Sequence, residues 1–506
     1  MIKRRGLYII LLISLLTIFS SSVLTVSAKG VREVEGIYYK GERPFLKNII
    51  YTMDKKEFEV KFYFDSDIEY KDFFLKTPPR FVIDIKGGQY NWPYRKIEPH
   101  DPLIKELRIF HNSRGLRIVA EFNYRGPWQE LDWDAENKIL TMTVHRQFTE
   151  KDSVSLEKGI DYYQIREGLA KGPVSMQAII AEPASHIKGR KMLEAIGKME
   201  PGPDLLVETA YKNYPKGKLN GLSKLSDLNI QENGIAAING GFYAYYGVPL
   251  GLIIKNGQLV SPPIYGRTAF GVDKDGKMYI DRVDLEATLY IKGRKYDLTG
   301  FNRPRHADDL VLYAPSYSST TETNEWGLEA VINDGRVTAI NKGNTTIPDD
   351  GWVLSAHGKY KSVIENLEVG DKLYLSMHLT PDWLQKGIVE GLGGGPRLVK
   401  DGRVHITGKE EKFQPDVLYS RAPRTAVGIT EDNRLIMLVV DGRSRYSIGM
   451  TLEELANTMI ELGAVQAMNL DGGASSTLVI GDKVYNEPSA GERLIHNGLI
   501  IKFNQD

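Results

Sequence analysis

Residues 469–480, Asn-Leu-Asp-Gly-Gly-Ala-Ser-Ser-Thr-Leu-Val-Ile, set one carboxylate (Asp471), two glycines (Gly472, Gly473) and two hydroxyls (Ser475, Ser476) between apolar flanks. Glycines that accept positive φ let a loop aim backbone N–H groups at an anion, and serines add hydroxyl donors. The pattern fits an anion cradle beside an acid. A plain turn, with Asp471 bonding its own loop, is the simpler alternative. A second cluster, Asp441-Gly442-Arg443-Ser444-Arg445, follows another apolar run. There Arg443 or Arg445 offers the planar fork that matches phosphate oxygens.

These clusters need elements that bring them together. Arg434–Val440 reads as a strand. Residues 451–463 read as a helix, with Thr451 as N-cap, Glu454 closing a capping box, and Gly463 as the stop. Residues 464–470 read as a second strand. If the two strands share a sheet, the crossover makes them parallel, and both acids reach the rim where open α/β sheets bind ligands. Asp471 and Asp441 are therefore the candidate catalytic pair. A repeat supports the same layout. Residues 249–277 and 395–434 each contain a hairpin turned at Asn-Gly or Asp-Gly, then Arg-Thr-Ala-x-Gly and a further strand. Such a duplication puts Arg267 and Arg424 at related positions. Asn239, Gly240 and Gly241, in Ile-Asn-Gly-Gly-Phe, lie upstream of the first copy, with an Asn-Gly turn as the bland reading.

The chain has 506 residues, enough for two or three domains. Cations and acids both number 65, so no bulk charge points to nucleic acid. Cysteine is absent, which excludes thiolate metal sites and cysteine nucleophiles and fits a bacterial exported protein. Residues 1–28 read as a signal peptide: Lys3, Arg4 and Arg5, an apolar run from Leu7 to Phe19, then Val26-Ser27-Ala28. An uncleaved anchor is the alternative, and no later segment is apolar enough to span a membrane. Residues 45–146 alternate with period two, as a β-sandwich does. Within them Pro-Pro-Arg-Phe-Val-Ile-Asp-Ile-Lys-Gly and the run from Ile104 to Phe122 resemble the AMIN domain, which implies targeting to the bacterial cell envelope. Residues 147–157 read as a linker. The expected fold class is α+β: an N-terminal β-sandwich, then a larger α+β domain over 157–506 with duplicated sheet units.

The stretch Gly449–Ile480, with Ile-Asn-Gly-Gly-Phe-Tyr, Gly-Gly-Gly-Pro-Arg-Leu-Val, Arg-Thr-Ala-Val-Gly-Ile-Thr, Val-Asp-Gly-Arg and the tail Gly491–Ile501, resembles the phosphodiester glycosidase family over residues 157–506. Ala474, where many members have glycine, and the tail Glu-Arg-Leu-Ile-His-Asn-Gly-Leu depart from the family pattern. The resemblance implies hydrolysis of a sugar-1-phosphodiester, of the N-acetylglucosamine-1-phosphodiester type. Asp471 would serve as nucleophile or as base for water, Arg267 and Arg424 would be candidate phosphate ligands, Asn239, Gly240 and Gly241 would line the sugar side, and His496 would belong to the substrate site. The leaving group is a phosphate monoester, so the general acid of ordinary glycosidases has less to do. The histidines lack zinc-site spacing, and no cofactor is assigned; a divalent cation bridging Asp471 or Asp441 stays open. The Ser/Thr/Tyr-rich stretch 315–327 reads as a solvated loop or an active-site rim. The expected partner is a carbohydrate or cell-wall polymer. Two rivals remain: a non-catalytic wall-binding protein, and a glycosidase acting on ordinary glycosidic bonds.

Overall fold

The computed structural model describes residues 32–35, 43–54, 56–92, 96–101, 103–123, 128–169, 171–182, 205–212, 219–244, 247–444 and 446–503. The expected signal segment lies outside them. Two units divide the chain after Gln147. Strand makes up 53% and helix 8%, so the β-rich part of the expectation holds and the helical part is small.

In the first unit the predicted alternation becomes two five-stranded antiparallel sheets. One runs Arg32–Glu35, Leu46–Met53, Glu57–Phe64, Ile139–His145, Trp128–Asp134. The other runs Tyr70–Lys76, Pro79–Lys86, Gly115–Phe122, Ile104–Asn112, Lys96–Ile97. Alternate residues of Glu57–Phe64 turn inward: Phe58, Val60, Phe62 and Phe64. They meet Ile83, Ile85, Leu107, Ile109, Leu116 and Ile118 of the other sheet in one core. Two sheets closed over a shared apolar layer form a sandwich.

The second unit is built on a repeat, and the repeat is threefold. Each copy is a five-stranded antiparallel sheet with a hairpin on one side of a central strand and a strand pair on the other. The first copy runs Gln258–Ser261, Ile253–Lys255, Ile388–Gly393, Thr268–Asp273, Met278–Arg282. The second runs Arg403–Val404, Arg397–Lys400, Ala464–Asn469, Arg424–Thr430, Leu435–Val440. These are the two copies read from the sequence. The third runs Lys483–Val484, Leu478–Ile480, Ala236–Asn239, Asn497–Phe503, Leu205–Tyr211. It escapes notice in the sequence because it lacks Arg-Thr-Ala and takes its strands from both ends of the unit. The central strands all exit through the same hydrogen bond: Gly394 N–H to Thr268 O, Leu470 N–H to Thr425 O, and Gly240 N–H to Asn497 O. Side chains from the three sheets fill one core, including Ile238, Phe270, Leu392, Val427, Met468 and Leu499.

The helix Leu452–Glu461 has Thr451 as N-cap and the complete capping box with Glu454. It carries the chain from Leu435–Val440 to Ala464–Asn469. Those strands are parallel as expected, with the antiparallel strand Arg424–Thr430 between them. Thr149–Glu157, read as a linker, is instead a strand. With Ile160–Leu169 and Gly172–Ala181 it extends the second sheet to eight strands. Its side chains face solvent, which is why its polar composition resembles a linker. A module with two further sheets, from Asp284 to Thr380, is inserted between strands of the first copy. The loop 315–327 belongs to it and is not simply solvated, since Thr321 and Thr323 bond the fully buried Glu329.

At the meeting of the three exits the backbones nearly touch. A Cβ on Gly241 would lie 2.2 Å from the carbonyl oxygen of Gly393. Backbone cannot swing aside as a side chain can. Gly241→Ala is therefore expected to lower unfolding stability by about 1–3 kcal/mol, read from the denaturant midpoint at unchanged slope.

Candidate active site

Asp471 sits just past the central strand of the second copy. Its N–H donates to Gly240 O at 3.0 Å, and its carbonyl accepts from Asn239 Nδ2 at 2.7 Å. The third copy's exit thus holds it on the backbone side. Its carboxyl interacts with the Ser475 hydroxyl and the Gly472 N–H. Burial pushes its pKa up to about 6, while Ser475, Arg493 and Gly472 pull the other way. Asp471 is thus ready to change charge near neutrality, which an ordinary surface carboxylate is not.

The loop is not the backbone cradle expected from its glycines. The Gly472 N–H faces the Asp471 carboxyl, and Gly473 N–H bonds Pro423 O. Ser475 and Ser476 N–H bond Gly472 O and Gly473 O. The glycines act sterically instead. Gly473 takes φ +63, and a Cβ there would lie 3.4 Å from Nη2 of Arg443. Positive charge comes from side chains: Arg443, exposed and without a hydrogen-bond or ion-pair partner among the described residues, and Arg493. Arg493 is exposed and lies 5.8 Å from the Tyr243 ring, whose hydroxyl bonds Leu494 O. Arg445 lies outside the described residues. Ser475 and Ser476 are both buried, and the Ser476 hydroxyl has no hydrogen-bond partner among the described residues.

Asp441 shares the rim with Asp471 but turns inward. It is buried, with Oδ1 accepting from Asn486 Nδ2 at 3.0 Å and from Glu487 N–H at 2.9 Å, and Oδ2 from Gln177 Nε2 at 3.3 Å. Burial raises its pKa against those bonds. Asn486 also donates to Ser476 O and accepts from Leu478 N–H. Asp441 therefore anchors the Asp471 loop through Asn486 and does not present a second free acid. Arg424, expected at the phosphate, is buried and donates to Met450, Val417 and Ser420 carbonyls. Its pKa falls to about 10, through desolvation first and then the nearby Arg443. His496 is also buried. Its Nε2 lies 2.8 Å from Leu219 O and its Nδ1 accepts from Asn497 Nδ2. Burial lowers its pKa to about 4, so the ring is neutral and acts through Asn497, whose Oδ1 accepts Gly241 N–H at 2.8 Å.

Asn239, Gly240 and Gly241 support the loop from below. Asn239 Oδ1 accepts from Thr425 Oγ1 and Thr477 N–H, and a Cβ on Gly240 would lie 2.1 Å from Asn497 Oδ1. Arg267 makes no bond to the Asp471 loop and packs its guanidinium on aromatic rings. Among the described residues no three His, Asp or Glu side chains converge as metal ligands. Sequence reading missed Arg493, Tyr243 and Asn486. Arg493 was available to it, three residues before His496 in the same tail.

Residues 327–502 match the phosphodiester glycosidase family, and residues 48–143 match the AMIN domain. The chain carries a phosphodiester glycosidase domain. That domain is 32% identical over 110 residues to bovine N-acetylglucosamine-1-phosphodiester alpha-N-acetylglucosaminidase, covering 20% of this chain and 21% of the relative. The mouse enzyme of the same name is 30% identical over 172 residues, 31% of this chain and 30% of the relative. An uncharacterized prophage-derived protein of Bacillus subtilis (strain 168) is 31% identical over 137 residues, 27% and 21% of the two chains. The chain thus spans between a fifth and a third of these relatives. In fold it is similar to a hypothetical protein from Synechocystis (TM-score 0.61, 16% identity, 96% and 92% of the chains). It is also similar to a putative exported protein from Burkholderia pseudomallei (TM-score 0.58, 19% identity, 75% and 99%).

In this phosphodiester glycosidase domain the Asn486 amide makes two donations, to Asp441 and to Ser476 O. Asn486→Asp turns both into oxygen–oxygen contacts and sets two carboxyls together, which raises their pKa values in the folded state. A fold that prefers the protonated acid loses stability as pH rises past the unfolded-state value. The variant should lose at least about 2 kcal/mol at pH 8 and recover part of it at pH 5, measured by denaturant unfolding at both.

Proposed function

We propose that residues 148–506 hydrolyse a glycosyl phosphodiester of the bacterial cell envelope, releasing a phosphate monoester, and that the N-terminal AMIN domain holds the enzyme there. The observation that carries this reading is Asp471: a carboxyl whose pKa burial pushes up to about 6, in a loop flanked by the Arg443 and Arg493 side chains. The guanidiniums take the phosphodiester oxygens. Asp471, as nucleophile or as base for water, faces the anomeric carbon where positive charge develops. The bond from that carbon to the phosphate oxygen breaks, its electron pair leaves with the phosphate, and water supplies the new oxygen. The relatives' names support N-acetylglucosamine as the glycosyl unit. The exported neighbour and the AMIN match support export.

Asp471→Asn keeps the shape and removes the charge. Turnover of a sugar-1-phosphodiester should fall at least about 10³-fold, on the order of 4 kcal/mol of transition-state stabilisation, while equilibrium binding is kept or improves. A variant within tenfold of wild type in turnover reduces Asp471 to a turn residue.

A phosphodiester carries no proton to lose near neutrality, so a pH limb there reports on the protein. The ionised carboxylate is the active form. The kcat/KM of the wild type should therefore rise with pH through about 6. Arg493 favours the carboxylate, so Arg493→Met should move that limb to higher pH. A limb that falls through the same range instead identifies a protonated carboxyl, as an ordinary glycosidase requires.

A further inference from the structure

Arg267, Arg424 and His496 occupy equivalent places in the three copies, each one residue before the residue whose carbonyl receives the central strand's exit. Two of them are satisfied from within. Arg267 is not. Its Nε lies 3.3 Å from Glu411 O, and its Nη1 and Nη2 donate to nothing among the described residues. The nearby Glu411 carboxylate is fully buried and already accepts from Thr268 N–H, Thr268 Oγ1, Arg397 N–H and Thr407 Oγ1.

The Arg267 guanidinium lies 4.0 Å from the Phe413 ring centroid, with Phe242 at 5.8 Å and Tyr265 at 5.6 Å. Tyr265 is 58% exposed, and the Lys412 ammonium lies 5.2 Å from its ring. The cluster is continuous with the Asp471 site, since Phe242 follows Gly241 and Gly240 O accepts the Asp471 N–H. Two residues of chain span at most about 7 Å. A half-buried guanidinium with free donors suits an oxyanion, and aromatic faces suit the apolar side of a sugar ring.

We propose that Arg267, Phe242, Phe413 and Tyr265 form a second subsite that takes an anionic hexose unit, bearing phosphate or carboxylate, adjoining the bond at Asp471. The substrate is then a charged glycan chain and not a single glycosyl phosphodiester. This rests on the function proposed above, but binding tests it without turnover.

Calorimetric titration of the full-length protein uses four probes: a monomeric sugar-1-phosphodiester, its phosphate-bearing dimer, a uronic-acid-bearing dimer and a neutral dimer. The phosphate-bearing dimer should bind at least about tenfold more tightly than the monomer or the neutral dimer, an advantage that shrinks with salt. Arg267→Gln should bring the dimer-to-monomer ratio close to one. A uronic dimer equal to the phosphate dimer also supports the subsite and makes the oxyanion, not phosphorus, its ligand. Equal binding of monomer and charged dimer by the wild type overturns the proposal without any variant having to fold, as does a neutral dimer that matches the charged one. Dimer preference without hydrolysis of any probe keeps the subsite and removes the phosphodiesterase reading. Hydrolysis of the monomer with no dimer preference does the reverse.

Discussion

The side-chain amide of Asn239 ties the exit of the third copy to that of the second. It accepts from Thr425 and Thr477 and donates to the carbonyl of Asp471, so one buried group fixes both the start and the end of the acidic loop. The same bond recurs one copy over, where Asn469 Nδ2 donates to Gly395 O. Among the described residues the amide oxygen there is left without a partner, because the threonine that would serve it, Thr268, gives its hydroxyl to Glu411. The third equivalent position is Gly393, which has no side chain to give. A ring of three clamps is thus complete at one station, half made at the second and missing at the third. The acid sits at the complete one. An unmet hydrogen bond in a buried amide costs about 1–3 kcal/mol, so the asymmetry is energetic as well as geometric.

The same divergence explains the basic residues. Arg424 is consumed by three carbonyls beneath the loop, yet its charge and that of Arg443 repel across it. Arg443 itself takes a positive φ at the exit of its strand, and its guanidinium lies beside Gly473, whose φ of +63 favours glycine. Charge that faces solvent comes from residues outside the repeat's shared positions, Arg443 and Arg493. The repeat supplies the frame, and its departures supply the chemistry.

Much of this was legible in sequence because the signals were local. The capping box at Thr451 fixes the helix start, Asp-Gly and Asn-Gly fix hairpins, and period-two alternation gives five of the ten sandwich strands nearly to the residue. The parallel relation of the two acid-bearing strands followed from the helix between them. What failed was long-range. Thr149–Glu157 is a strand only because Ile160–Leu169 pairs with it, and its exposed side chains carry no core signal. Two glycines announce an anion cradle equally whether their N–H groups are free or bonded. Only the fold shows Pro423 O waiting for Gly473. Likewise Asp441 reads as an active acid until Asn486, Glu487 and Gln177 are seen around it.

The third copy is assembled from the two ends of the unit. Asn497–Phe503 lies between Leu205–Tyr211 and Ala236–Asn239, and pairs with both. Closing the circle is therefore the most non-local event in the fold, and non-local pairing is slow to form. Until that strand docks, Asn497 cannot hold Gly241 and the central strand carrying Asn239 has one open edge. A chain caught before closure carries Asp471 as an unremarkable surface acid. The surroundings that raise the Asp471 pKa are thus a property of the closed ring.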